Sequence, residues 1–230
     1  MEQLLKLKQK ARQESKQSAL LKAQLAISTV QKQMQVLKLK EYILMGGFIV
    51  GGAVLRALMQ PLPSVEPITF IALLTGWMFG SKKGFIVGAS SLYISNFLCI
   101  GGQGPWTPFQ ALGFGIAGFL GGLLSRFKLK SGTSSLKMKA LILPAMLIAA
   151  ISTIIYEIIM NAASIPIWGV AAFVTALPFG LIHLISNLSF AAMLPKARNF
   201  IDEKLGFSEV PRLQEMLNKL KEKHEEILKV

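Results

Sequence analysis

The chain is poor in the residues from which most enzyme sites are built. It holds one cysteine and two histidines in 230 residues. With Cys99 alone, an internal disulfide and any multi-cysteine zinc site are excluded. Charge is scarce too, since Asp, Glu, Lys and Arg make up 16% of the chain, against about 25% in ordinary soluble domains. Between Tyr42 and Gly80 the only charged residues are Arg56 and Glu66, and from Ala140 to Pro195 the only one is Glu157. Phosphate-binding G-x-x-x-x-G-K-[ST] and nucleophile-elbow G-x-S-x-G patterns are both missing, so neither ATP hydrolysis nor a hydrolase serine is expected of this chain. Clusters of His, Cys and carboxylates that would suggest a metal or cofactor are likewise lacking.

What is present is apolar sequence. Hydrophobic residues make up 52% of the chain, and mean hydropathy is +0.51. A formal charge of +13 would suit nucleic acid, but the basic residues sit in the tails and short connectors, which is a membrane-topology signal. The N-terminus does not read as a signal peptide, because about 40 polar and basic residues precede the first apolar run. Taking about 20 apolar residues as the length of a crossing helix, six spans are predicted. They run from Tyr42 to Gln60, Pro67 to Gly80, Gly84 to Ile100, Thr107 to Phe127, Lys139 to Ala162 and Ile167 to Leu194. The second is short enough to be thin or re-entrant.

Connectors orient this arrangement. Nine Lys and Arg precede the first span, Lys82 and Lys83 lie in the second connector, and Arg126, Lys128, Lys130, Lys137 and Lys139 lie in the fourth. PLPSVEP, GGQGPWTP and SIPIWG, the first, third and fifth connectors, have no Lys or Arg. The positive-inside bias then puts both tails and the even connectors in the cytoplasm. The expected fold is all-α: a six-helix transmembrane bundle over residues 41–195, a basic helical tail over 1–40 and an amphipathic helix over 196–230. A helix lying on anionic lipid, a solvated helix and a coiled coil all fit the first tail. In the second, Leu213, Leu217, Leu220 and Ile227 recur at helical spacing, with His224 interrupting as a surface residue.

Polar groups inside spans are costly and functional by default. Placed by depth, Arg56, Asn96, Gln110, Glu157 and Asn161 lie toward the outer ends of their spans, with Gln103 and Trp106 in the outer loop GGQGPWTPFQ. Glycine- and proline-broken backbone at such a level is tolerated where protein buries it or where it lines a cavity. A pocket open to the outside is therefore predicted from these residues, with deeper His183 and Asn187, on one face of the sixth span, either joining it or making interhelical hydrogen bonds. Arg56 and Glu157 are expected either to pair or to meet a ligand. Small residues at four-residue spacing, such as Gly84 and Gly88 or Gly118 and Gly122, fit close helix packing.

The motifs RALMQPLPSVEPITFIALLTGWMFGSKKG, SNFLCIGGQGPWTPFQ, YEIIMNA and LPFGLIHLISN, in this order from Arg56 to Asn187, resemble those of the substrate-specific S component of an energy-coupling factor (ECF) transporter. The resemblance implies a membrane subunit that captures a vitamin or cofactor precursor from outside. Its partners would be a transmembrane T component and two cytoplasmic ATPases, which supply the energy. It also implies a docking face of small residues on the first helix, where Ala53 and Ala57 match, with Gly47 and Gly51 as the fallback. Two other classes remain open: a membrane scaffold whose tails recruit partners, and an intramembrane enzyme using Ser90 or Ser91 with His183.

Overall fold

The computed structural model describes residues 1–127 and 135–229; the connector lysines Lys128 and Lys130 lie outside them. All regular structure among the described residues is helical: α1 (Glu2–Met59), α2 (Ile68–Phe79), α3 (Ser81–Ser95), α4 (Thr107–Gly121), α5 (Ser135–Ala140), α6 (Ile142–Trp168), α7 (Ala171–Thr175), α8 (Leu177–Ala191), α9 (Leu194–Leu205) and α10 (Val210–Lys229). A 3-10 turn over Gly122–Arg126 prolongs α4. Two compact units result, one of residues 41–204 and one joining residues 1–40 to 205–230. The division falls after Lys204, inside the segment expected as a single C-terminal tail.

Within residues 41–204, punctuation explains the breaks. Pro61, Pro63 and Pro67 cannot donate backbone hydrogen bonds, and they occupy the turn between α1 and α2. Gly80, at φ 97°, takes the left-handed geometry that separates α2 from α3. These breaks shorten what sequence counted as spans. Among the described residues, and by length and composition, three helical stretches, Glu2–Met59, Thr107–Arg126 and Leu136–Trp168, are long and apolar enough to cross a membrane. A fourth is reached if α8 and α9, bent by 40°, act as one span. At 12 and 15 residues, α2 and α3 are shorter than the usual crossing length.

Close backbone contact holds α2, α3 and α4 together. A Cβ on Gly76 or Gly84 would fall inside the carbonyl of Gly118, and one on Gly88 inside that of Phe114. Only glycine permits such approach, and packing of this kind drives helix association in lipid. Leu73, Leu74, Trp77, Leu124, Ala145, Ala149 and Leu194 form the largest buried cluster. Arg198 of α9 caps it, its guanidinium carbon 4.8 Å from the centre of the Trp77 ring. On the outside, Leu143, Leu147, Ile151, Ile154 and Ile158 of α6 and Leu177, Leu181 and Ile185 of α8 are exposed. Contiguous apolar surface of this kind is what a helix shows to lipid.

The other unit is a helical pair with a seam. Lys16, Leu20, Ala23, Ile27, Val30, Met34 and Leu37 alternate in steps of four and three and are among the shielded positions of the first tail. Leu213, Leu217, Leu220, His224 and Ile227 do the same in α10. This is heptad spacing, the pattern of a coiled coil. His224 belongs to the seam rather than to the surface, with its Nε2 buried and unpartnered. Lys40 Nζ donates to the carbonyl of Leu205 at 3.4 Å where the two segments meet.

Candidate functional site

A cavity of about 420 Å³ opens in residues 41–204, walled by the end of α1, the proline turn, the loop after α3, and α4, α6 and α8. That volume lies within the usual range for small-molecule sites, roughly 300–1,000 Å³. Six of the residues singled out from sequence line it: Arg56, Asn96, Trp106, Gln110, Glu157 and His183. Two do not. Gln103 donates from Nε2 to the carbonyl of Tyr93 at 2.7 Å and so fastens the loop to α3. Asn161 faces a second recess of about 230 Å³ between α6 and α8, which Glu157 also borders.

On one wall the polar groups form a chain. Arg56 Nη1 donates to Ser95 Oγ and Asn96 Oδ1, both at 2.8 Å, and lies 3.5 Å from Cys99 Sγ. Asn96 Nδ2 donates to Thr107 Oγ1 at 3.2 Å and Gln110 Oε1 at 3.1 Å. Thr107 Oγ1 also accepts the Gly104 backbone N–H at 3.0 Å, tying the loop to the first turn of α4.

The opposite wall gathers acids around an imidazole. His183 Nδ1 is 2.7 Å from Glu157 Oε1, and its Nε2 is 3.4 Å from Glu66 Oε1. Glu66 Oε2 accepts the Ile68 backbone N–H at 2.7 Å, and Oε1 accepts the Thr69 hydroxyl at 2.7 Å. Its negative charge thus sits on the free N–H groups that begin α2, where it is favourable. Asn187, one turn below His183, donates to Thr153 Oγ1 of α6 at 2.9 Å and Thr69 Oγ1 of α2 at 3.4 Å. The ring of Tyr156 meets that of His183 edge-on at 5.1 Å and packs against Phe114 at 4.7 Å, so aromatic surface joins the two walls.

Two expectations change. Arg56 and Glu157 do not pair: the arginine is held by neutral groups and the carboxylate by His183. His183 and Asn187 do make interhelical hydrogen bonds, His183 to Glu157 of α6 and Glu66 of the proline turn, Asn187 to Thr153 of α6 and Thr69 of α2. Ala53 is fully buried within the unit and is not available to a docking partner, whereas a Cβ on Gly46, Gly47 or Gly51 would meet open space.

Sequence reasoning missed Glu66, Tyr156 and the aromatic liners Phe114 and Phe179. Glu66 did carry a signal: a lone acid in an otherwise uncharged, proline-rich connector, three residues before Thr69. The aromatics carried none, because in an apolar helix a Phe toward a cavity and a Phe toward lipid look alike. Trp106 is 43% exposed; its ring folds over Gly104, where any Cβ would collide with it.

Ser90 and Ser91 are not among the lining residues, and Ser91 Oγ is buried without a partner. Groups of His, Cys, Asp and Glu able to hold a metal ion are absent among the described residues. No family model matches the chain, and no curated protein or solved structure matches it either.

Proposed function

We propose that this chain is the substrate-capture subunit of an ECF-type importer, binding a small micronutrient from outside the cell membrane. In this reading residues 41–195 form a six-helix bundle in the bilayer, with both termini cytoplasmic. Chemical energy comes from two partner ATPases through a transmembrane T component, so the chain needs no phosphate loop of its own. The observation that carries the reading is a polar-walled cavity inside an outwardly apolar helical unit. Polar groups at such depth are costly and functional by default, and a cavity lined by Arg56, Asn96, Gln110, Glu157 and His183 is best explained by a ligand that meets them. The open α1 face at Gly47 and Gly51, with partly exposed Ala57 rather than buried Ala53, is where the T component would dock.

The scaffold alternative draws on one observation, the two-helix tail unit, whose exposed faces are free to recruit a partner. The two readings separate on ligand capture. Purified gently in lipid nanodiscs, the wild-type protein should release a small molecule on denaturation, read by mass spectrometry. Trp106→Ala should lose most of it while inserting normally. Equal recovery from Trp106→Ala would remove Trp106 from the site, and recovery of nothing from the wild type would leave the scaffold.

A further inference from the structure

The two walls of the cavity carry opposite charge, and each keeps hydrogen-bonding capacity unspent. A guanidinium has five N–H donors, of which Arg56 commits only those on Nη1, all to neutral acceptors. Its Nε and Nη2 meet no protein acceptor, and no carboxylate pairs with it among the described residues. Across the cavity two carboxylates share one imidazole, so that wall stays net negative whether the ring holds one proton or two. Glu66 has given both oxygens to Ile68, Thr69 and His183 and is 8% exposed. Glu157 has given only Oε1. Its Oε2 has no protein donor, and its side chain is 25% exposed.

We propose, on the reading of the cavity as a capture site, that its ligand is a small dipolar molecule. An anionic group (carboxylate or phosphate) meets the free donors of Arg56, and a protonated nitrogen meets Glu157 Oε2. The aromatic surface of Trp106, Tyr156 and Phe179 holds the body between them. A ligand of no net charge enters a low-dielectric site at less cost than an ion, and both half-buried charges gain a partner when it binds. A molecule bearing only one of the two charges leaves Arg56 or Glu157 uncompensated in a drier site, and it is rejected for that reason.

The test uses the full chain in nanodiscs, dialysed against a defined mixture of water-soluble micronutrients. The mixture is divided into zwitterions, anions and cations, with carboxylates and phosphomonoesters in each anionic set. Mass spectrometry then reads what is retained. The expected result is retention from the zwitterion set alone, the head group telling carboxylate from phosphate. Esterifying the anionic group or acetylating the nitrogen of the retained compound should each weaken it on the order of 100-fold. Arg56→Gln should weaken the parent but not the ester, and Glu157→Gln should weaken the parent but not the acetylated form. Because the ligand is altered as well as the protein, a variant that folds poorly does not decide the matter. Retention of a singly charged compound would overturn the dipolar assignment and leave capture standing, as would equal binding of parent and ester. Retention of nothing from any set would overturn both.

Discussion

The contact of α2 with α3 and α4 and the contact of α6 with α8 are made in opposite ways. Missing side chains make the first: glycines at 76, 84, 88 and 118 let backbones touch. Polar side chains make the second, through His183 to Glu157 and Asn187 to Thr153. Backbone contact has no rotamers to exchange, whereas hydrogen-bonded side chains can trade partners with a ligand. The cavity lies where the two kinds of wall meet, with Glu66 at the start of α2 bonded to both. One wall fixes the frame, and the other supplies groups that respond to what is bound.

Three substitutions sharpen or break this contrast. The largest effect is expected of Gly118→Leu. Its side chain would have to occupy the backbone of α3 at Gly84, and the strain exceeds the 1–3 kcal/mol typical of overpacking, at about 4 kcal/mol or more. Loss of a monodisperse peak in size-exclusion chromatography checks this; a normal peak and melting curve would show that the glycine contact is not what joins these helices. His183→Ala should come next. It strips Glu157 of its partner and Glu66 of one, costing about 3 kcal/mol, with His183→Gln recovering part of it. A melting temperature unchanged by His183→Ala would mean that the acids find other partners and that this wall is not held by the imidazole. Gly51→Ala should be smallest, within about 0.5 kcal/mol, because the added methyl meets open space. If the open α1 face docks a T component, the same change leaves ligand retention intact and reduces uptake in vesicles that contain the partner subunits.

Much of the site was legible because charge is rare here. Arg56 and Glu157 stood alone in long apolar stretches, and a lone ionisable group at such depth had to line something. Asn96 and Gln110 were found by their depth at the outer ends of apolar spans, and Trp106 by the glycine- and proline-broken loop that joins them. Pairing was not legible. Arg56 and Glu157 had opposite signs and similar depth, which left a mutual ion pair and contact with a ligand equally open. Helix rotation instead turned each toward a nearer partner, and a few tens of degrees of rotation are invisible to residue spacing. Ala53 and Gly51 illustrate the same limit: both are small and lie two residues apart, yet one is buried and the other opens outward.

Composition and spacing alone determined that the chain is helical and that its helices are apolar enough for a bilayer. They also placed rare polar groups toward one end, because the 3.6-residue period and the cost of burying charge act locally along the chain. Tertiary structure decided which of those groups share a wall, that two acids converge on one imidazole while the arginine stays unpaired by any acid, and where the crossing helices fall short. Those outcomes depend on how closely backbones approach at Gly84 and Gly118 and on how each helix is turned about its axis. Only the packed chain, with every helix in contact with its neighbours, fixes them.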